Sequence, residues 1–233
     1  RMGGRLIAET LELGGMSGTG WVSEVLAELS TTENLRVMPR TTVYGAFDHG
    51  IYGALEHTTD HLSSNKQKPR QVLWKIYSKR AILCTGATER LIAFGNNDRP
   101  GVMLAGATRA YVNRWSVTPG KRIAVFTNND DGWRTATDLV RRNVEVTAVV
   151  DTRDGIAHAT PRGTSVVMGG RIIDTKGRRG IRSFTLSNGH TVPTDCLAVS
   201  GGWSPNIHLT CHQGARPVWR DDIAAFVPHG NLP

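Results

Sequence analysis

Thr85-Gly86-Ala87-Thr88-Glu89-Arg90 follows a short apolar run, Ala81-Ile82-Leu83-Cys84, in a chain of 233 residues. Four consecutive apolar residues ahead of a turn signal predict a strand covered on both faces of a parallel sheet. The chemistry open to such a strand end is recognition. A glycine at its carboxyl end lets the backbone pass close to a bound dinucleotide with no Cβ in the way, and open α/β sheets take ligands at that edge. Thr-Gly-Ala alone is also what an ordinary strand-to-loop turn looks like.

Other spacings carry less chemistry. His208-Leu209-Thr210-Cys211-His212 puts two histidines at i and i+4, a geometry that suits a metal on a helix. No glutamate follows the first histidine and no third ligand stands nearby, so polar surface histidines are expected and no metal site. Neither a Ser/His/Asp nor a Cys/His nucleophile pattern stands out, and no catalytic acid, base or nucleophile is expected. Gly14-Gly15-Met16-Ser17-Gly18-Thr19-Gly20 follows no strand of adequate length, so it is expected to be a flexible loop rather than a phosphate cradle.

The elements that must position these residues follow from periodicity. Trp21 to Leu29 has helical spacing for a face against a sheet. Short strands are predicted at Leu35–Met38 and Thr41–Phe47, split by Pro39, and again at Ile51–Thr59 and Gln71–Tyr77, with a polar loop at His61–Pro69. Leu91–Gly101 reads as structured turns and Leu104–Val117 as a helix. Lys121–Phe126, a helix from about Gly132 to Arg142, and Val144–Val150 ending in Asp151 form a βαβ unit. Where Gly-x-Gly-x-x-Gly would follow its first strand the sequence has Thr127-Asn128-Asn129-Asp130-Asp131-Gly132, with side chains and two carboxylates where pyrophosphate would approach. A second nicotinamide site is not expected there, and Asp151 is expected to be a strand-terminal cap. Strands at Thr164–Met168, Arg171–Thr175 and Ile181–Leu186, an Asn188-Gly189 hairpin and a buried strand Asp195–Ser200 follow. Gly201-Gly202-Trp203-Ser204-Pro205-Asn206 is expected to be a crossing turn between domains rather than a ligand contact.

Composition bounds the rest. At 39% hydrophobic the chain supports a core, and no run of about 18 apolar residues predicts a membrane span. No signal-peptide pattern opens the chain, and cytoplasm is the expected location. Cys84, Cys196 and Cys211 are too few and scattered for a disulfide framework, and reduced thiols are expected. Twenty-eight basic against twenty acidic residues give a net charge of +8, compatible with an acidic partner or an anionic cofactor. The basic residues are dispersed, and the densest run, Lys176-Gly177-Arg178-Arg179-Gly180-Ile181-Arg182, reads as a solvated turn, so nucleic acid is not expected as a partner.

Taken together, Thr85–Arg90, Asn96-Asn97-Asp98-Arg99-Pro100-Gly101-Val102-Met103, Tyr111–Arg114, Pro119–Arg122, Phe126–Asp130 and Val199–Asn206 make the chain resemble the alpha subunit of heterotetrameric sarcosine oxidase. Subunits of opine dehydrogenases and hydrogen cyanide synthase share the Thr-Gly-Ala and Asp-x-Pro-Gly-Val-Met elements more loosely. The resemblance implies an α/β, glutathione-reductase-like FAD/NAD(P)-binding fold, incomplete at both ends, with an inserted second Rossmann-like domain. Residues 1–118 would form a first dinucleotide-binding domain lacking its first strands, 119–195 the insert, and 196–233 the return. The chain reads as a truncated part of a longer subunit, inactive alone and poorly soluble in isolation.

The same resemblance implies that the whole complex oxidatively demethylates sarcosine to glycine with tetrahydrofolate and oxygen, giving methylenetetrahydrofolate and hydrogen peroxide. This subunit would bind NAD, with FAD and FMN elsewhere in the complex and the folate in a domain outside this segment. Its partners would be the beta, gamma and delta subunits. Gly4, Arg5, Val43, Thr85 and Gly86 match positions that contact the dinucleotide. A guanidinium at Arg5 can pair with a phosphate, and the Val43 backbone can read an adenine edge; a solvent-facing arginine and a buried strand valine are the plainer alternatives. An opine- or glycine-acting flavin subunit of the opine dehydrogenase or hydrogen cyanide synthase type, and a non-catalytic nucleotide-binding scaffold, stay open beside it.

Overall fold

Period-two alternation in Gln71-Val-Leu-Trp-Lys-Ile-Tyr77 and continuous apolar runs in Ile123–Phe126 and Cys196–Ser200 give this chain its two kinds of sheet. The computed structural model describes residues 2–63, 68–155 and 158–228. A short hairpin, β1 (Glu12–Leu13) and β2 (Met16–Ser17), precedes helix α1 (Gly18–Thr31). Strands β3 (Thr41–Phe47), β4 (Ile51–His57) and β5 (Gln71–Tyr77) follow, then β6 (Ala87–Glu89) and β7 (Val102–Leu104). Helix α2 (Ala105–Trp115), β8 (Arg122–Thr127), α3 (Asp130–Arg141), β9 (Glu145–Asp151) and β10 (Ser165–Met168) form the α/β stretch. A meander of β11 (Ile172–Lys176), β12 (Ser183–Leu186) and β13 (Thr191–Pro193) leads to β14 (Cys196–Ser200). The described chain ends in β15 (Trp203–Pro205), α4 (His208–His212) and a hairpin of β16 (Val218–Arg220) and β17 (Ala225–Val227).

Two compact units result. One comprises residues 5–18 and 89–203. Its parallel sheet has the order β10-β9-β8-β14-β7. Ile123 and Val125 face one side and pack with Ala105, Val112, Trp133, Ala136 and Leu139 of α2 and α3. Ala124 and Phe126 face the other and pack with Ile172, Phe184 and Leu186 of the meander. A strand with both faces covered has no polar side to keep, which is why β8 and β14 carry the apolar runs Ile123–Phe126 and Cys196–Val199. The unit reaches beyond the 119–195 segment expected as an insert: β14 pairs with β8 along one edge and with β7 along the other, so residues 102–104 and 196–200 share its sheet.

The other unit comprises residues 1–4, 19–88 and 204–233, and its sheet is antiparallel in the order β3-β4-β5. Ala46 and Ala54 are buried on one face. The Ala46 N–H donates to His212 Nδ1 of α4 at 3.4 Å, which gives that histidine a place in the packing of this unit.

Three local expectations change. Ala81–Cys84 is not a strand: no ladder partner lies beside it among the described residues, and Ile82 is 91% exposed. Leu35–Met38 is irregular, ending at Pro39 and a left-handed Arg40 (φ 58°), which breaks extended pairing. Gly14–Gly20 is not a loose loop: Gly14 and Gly15 turn the β1–β2 hairpin, Met16–Ser17 form β2, and Gly18–Gly20 open α1. The expected 61–69 loop and the 228–233 end lie partly outside the described residues.

The thiols give a direct check. Cys196 is fully buried in β14, and burial, with Asp195 adding to it, pushes its pKa up to about 12, whereas Cys84 is exposed. Ellman's reagent at pH 8 is expected to modify Cys84 rapidly, Cys211 more slowly and Cys196 only on unfolding. Rapid loss of all three thiols would contradict the β14 placement.

Candidate functional site

The turn after Ala81–Cys84 is held by one residue that the motif had quoted without a role. Asn206 donates through Nδ2 to the Thr85 carbonyl (3.0 Å) and through its backbone N–H to the Gly86 carbonyl (3.0 Å). Its own carbonyl accepts from Thr85 Oγ1 at 2.6 Å, and its side-chain oxygen accepts from Thr88 Oγ1 at 2.9 Å. Four hydrogen bonds to one asparagine fix the turn from four sides. Gly86 has φ +70°, the left-handed region, and a Cβ built there would meet nothing within 4 Å. Backbone conformation thus favours glycine here, and the space in front of it is open.

That space belongs to a cavity of about 890 Å³ within the antiparallel unit, lined by Ser78 to Gly86 together with Pro205, Asn206 and Ile207. Lys79 and Arg80 are in the lining and no carboxylate is, among the described residues. A cavity of this size with amides, hydroxyls and cations but no anions fits a ligand carrying phosphates.

Of the five residues expected to touch a dinucleotide, Thr85 and Gly86 line this cavity. Gly4 has φ +50° with open space at its Cβ position. Val43 lies on β3 and is 39% exposed, so it is not a buried strand valine. Arg5 belongs to the parallel-sheet unit, where its guanidinium is engaged. Nε meets Glu9 and Nη2 meets Asp131, both at 2.5 Å, and the group stacks 4.5 Å above the Trp203 ring. Burial would lower the Arg5 pKa, but the two carboxylates outweigh it and hold it above the ordinary value.

In the parallel-sheet unit the switch point between β8 and β14 is occupied by the protein itself. Asn129 caps α3 by accepting from the Asp131 N–H (3.0 Å), and its Nδ2 donates to the Ser200 carbonyl (3.0 Å). Asp131 accepts from the Trp203 indole at 2.7 Å, and Asp130 pairs with Arg153 at 2.9 Å. Burial pushes the Asp131 carboxyl up, yet Arg5 and Trp203 outweigh it and keep its pKa below the usual range. Asp151 behaves likewise: Arg153 and the Trp133 indole (2.7 Å) hold it low against its burial. At Gly132 a Cβ would lie 2.3 Å from Thr127 Oγ1, so this glycine serves helix–strand contact. The carboxylates Asp130 and Asp131 sit at the positive end of α3, where a phosphate would otherwise be attracted.

Gly201 and Gly202 are also packing glycines. A Cβ on the first would lie 2.8 Å from the Leu91 carbonyl, and on the second, at φ +93°, 2.8 Å from Arg90 Nη2.

A buried ion network stands behind this surface. Arg109, 4% exposed, pairs with Glu9 and Asp138, both at 2.6 Å, and Asp138 also accepts from Thr10 and Asn113. These partners are about 100 and 29 residues from Arg109 in the chain, so no local spacing announced them.

Against family models the chain has no match. Among curated proteins it is 40% identical over 235 residues to the sarcosine oxidase subunit alpha of Rhizobium meliloti (strain 1021), covering 99% of this chain and 24% of that one. It is 35% identical over 234 residues to the sarcosine oxidase subunit alpha of Corynebacterium sp. (strain P-1), covering 93% and 24%. The chain thus spans about a quarter of the length of the curated relatives it matches. Among solved structures, L-proline dehydrogenase from P. horikoshii superposes with a TM-score of 0.72 at 21% identity, over 97% of this chain and 40% of that one. An FAD-dependent pyridine nucleotide-disulphide oxidoreductase from Desulfovibrio vulgaris superposes with a TM-score of 0.56 at 14% identity, over 80% and 52%.

Two substitutions test the electrostatics described above. Arg109→Met leaves Asp138 buried without its cation and Glu9 with Arg5 alone, and is expected to cost about 3–5 kcal/mol, measured by urea unfolding; a loss under about 1 kcal/mol would contradict the network. Glu89 accepts the Gly106 N–H at 2.7 Å, its other oxygen is buried without a hydrogen bond, and burial raises its pKa. A raised carboxyl favours the folded state below the unfolded pKa and loses that contribution as pH rises through the folded value. Glu89→Gln is therefore expected to match the parent at pH 4 and to melt a few degrees higher at pH 7; a lower melting point at pH 7 would contradict the sign.

From the motifs, the 34–40% identities and the superpositions, the chain is a homologue of one quarter-length region of sarcosine oxidase alpha subunits, built on an FAD/NAD(P)-binding oxidoreductase fold.

Proposed function

We propose that this chain is the dinucleotide-binding region of a sarcosine oxidase alpha subunit, and that NAD is held in the cavity beside Thr85 and Gly86. The observation that carries the proposal is the left-handed, side-chain-free turn at Gly86, clamped by Asn206 and facing a carboxylate-free cavity. Thr85 and the turn's backbone would bind and orient the pyrophosphate, and the bare glycine lets it approach. Lys79 and Arg80 would balance charge along the same wall. The dinucleotide supplies hydride-transfer capacity when bound; this chain's residues position it and contribute no acid, base or nucleophile. Gly4 and Val43, of the same unit, complete the proposed contact set; Arg5, the fifth expected contact, belongs to the parallel-sheet unit, where Glu9 and Asp131 hold it.

The complete enzyme, on this proposal, converts sarcosine, tetrahydrofolate and oxygen to glycine, methylenetetrahydrofolate and hydrogen peroxide. FAD, FMN and the folate site lie outside this region, and the beta, gamma and delta subunits are its partners in the cytoplasm. The parallel-sheet unit favours a second, structural role within the same region, since its own carboxylates occupy the α3 end that would receive pyrophosphate. The division into a first domain at 1–118, an insert at 119–195 and a return at 196–233 is proposed as the evolutionary plan beneath the two compact units.

Two variants at one position test the site. Asn tolerates φ near +70° whereas Val does not, so Gly86→Asn keeps the turn while placing a side chain in the ligand's path. Acid extraction of the intact enzyme is expected to yield about one NAD per alpha subunit for the parent and at least tenfold less for Gly86→Asn, with an unchanged melting point for the apo protein. Full NAD content in Gly86→Asn would overturn the placement, and the absence of NAD from the parent would overturn the cofactor.

A further inference from the structure

The β11–β12 turn of the parallel-sheet unit gathers Lys176, Arg178, Arg179 and Arg182 into one short stretch. All four residues are exposed, and none of their side chains makes an ion pair or hydrogen bond with another described residue. Arginines elsewhere are matched: Arg40 meets Asp60, Arg153 meets Asp130 and Asp151, and Arg220 meets Asp222. The backbone beneath the four cations is fixed. The Arg182 N–H donates to the Lys176 carbonyl and the Ile181 N–H to the Pro100 carbonyl, both at 2.8 Å. Gly177 has φ +145°, and a Cβ there would overlap the Gly180 carbonyl, so the two glycines close the turn backbone to backbone. Arg99 braces it, donating to the Gly177 carbonyl and, at 3.3 Å each, to the Thr175 carbonyl and hydroxyl. A fifth cation thus supports the other four and spends its donors on carbonyls and a hydroxyl. Asp174 lies within electrostatic reach of Arg99 and Lys176, and Asn96 donates to it at 2.6 Å.

Consecutive Cα atoms are about 3.8 Å apart, so Lys176 and Arg179 lie within about 11 Å of each other. That is comparable with the Debye length of about 8 Å at physiological salt, so their charges are felt mutually. A loose turn would let like charges spread, whereas this one is braced at its base and by Arg99. The N–H groups of Arg178, Arg179 and Gly180 also donate to no described residue, which adds three successive backbone donors to the side chains. Three of the four cations are arginines, whose planar forks take phosphate or carboxylate oxygens in pairs. A single carboxylate fills one fork, while a polyphosphate offers oxygens to all four cations at once. A nucleic-acid footprint of roughly six to ten phosphates needs a longer cationic track than one turn. We propose that this turn binds a small polyphosphate anion, the di- or triphosphate group of a soluble ligand, through Lys176, Arg178, Arg179 and Arg182. The site belongs to the parallel-sheet unit and is independent of the dinucleotide proposed at Gly86.

Calorimetric titration of the intact purified enzyme with inorganic tripolyphosphate tests the site. The parent is expected to bind it saturably, and the triple variant Arg178→Gln, Arg179→Gln, Arg182→Gln to bind it roughly tenfold or more weakly. The same loss is expected when the triple variant is made in the Gly86→Asn background, which separates the turn from the cavity. Orthophosphate should bind the parent roughly tenfold or more weakly than tripolyphosphate. Without any anion and at low salt, the triple variant should melt no lower than the parent, because repulsion among the cations is relieved. Equal tripolyphosphate affinity in parent and triple variant, loss of binding through Gly86→Asn alone, or no saturable binding by the parent overturns the site. Equal affinity for orthophosphate and tripolyphosphate overturns the ligand class. A triple variant that melts below the parent at low salt overturns the unrelieved repulsion from which the site is inferred.

Discussion

Asn206 holds the chain at Thr85 and Gly86, and the site depends on that clamp. Four hydrogen bonds to Asn206, two at Thr85 and one each at Gly86 and Thr88, hold the turn, so the open space before Gly86 is pre-formed rather than induced. The clamp also links two stretches about 120 residues apart in sequence, so the turn exists only once residues 204–207 have returned. Cavity, turn and returning chain are therefore tied together within the antiparallel unit.

In the parallel-sheet unit the residues at the corresponding edge are engaged with one another. Its sheet is fully covered, helices on one face and meander on the other, and its switch point is the place where ligands enter folds of this kind. Here Asn129 reaches across to Ser200, and Asp131 accepts from Arg5 and Trp203. The Asp131 N–H at the start of α3 already has a protein partner in Asn129. An anion would have to displace a carboxylate whose ionised form these partners stabilise, which is unfavourable.

Much of this was legible in the sequence. Continuous apolar runs at Ile123–Phe126 and Cys196–Ser200 marked strands buried on both sides, and the missing glycines after Thr127 marked the occupied switch point, because those signals are local. Ala81–Cys84 misled for a physical reason: apolar composition records that a segment can be buried, while strand geometry needs a neighbouring backbone, and none pairs with it among the described residues. The Asn206 clamp, the Arg109 network and the Arg5–Asp131 pair were not legible, since each joins residues far apart in the chain and no periodicity encodes such pairs.

The central claim, that a dinucleotide occupies the cavity beside Gly86 and not the α3 end of the parallel-sheet unit, is tested most directly by hydrogen–deuterium exchange of the intact enzyme with and without NAD. The account predicts that NAD slows exchange at the amides of Thr85–Ala87 and Asn206 and leaves Asn129–Asp131 unchanged. Protection confined to Asn129–Asp131, with Thr85–Ala87 unaffected, would contradict it.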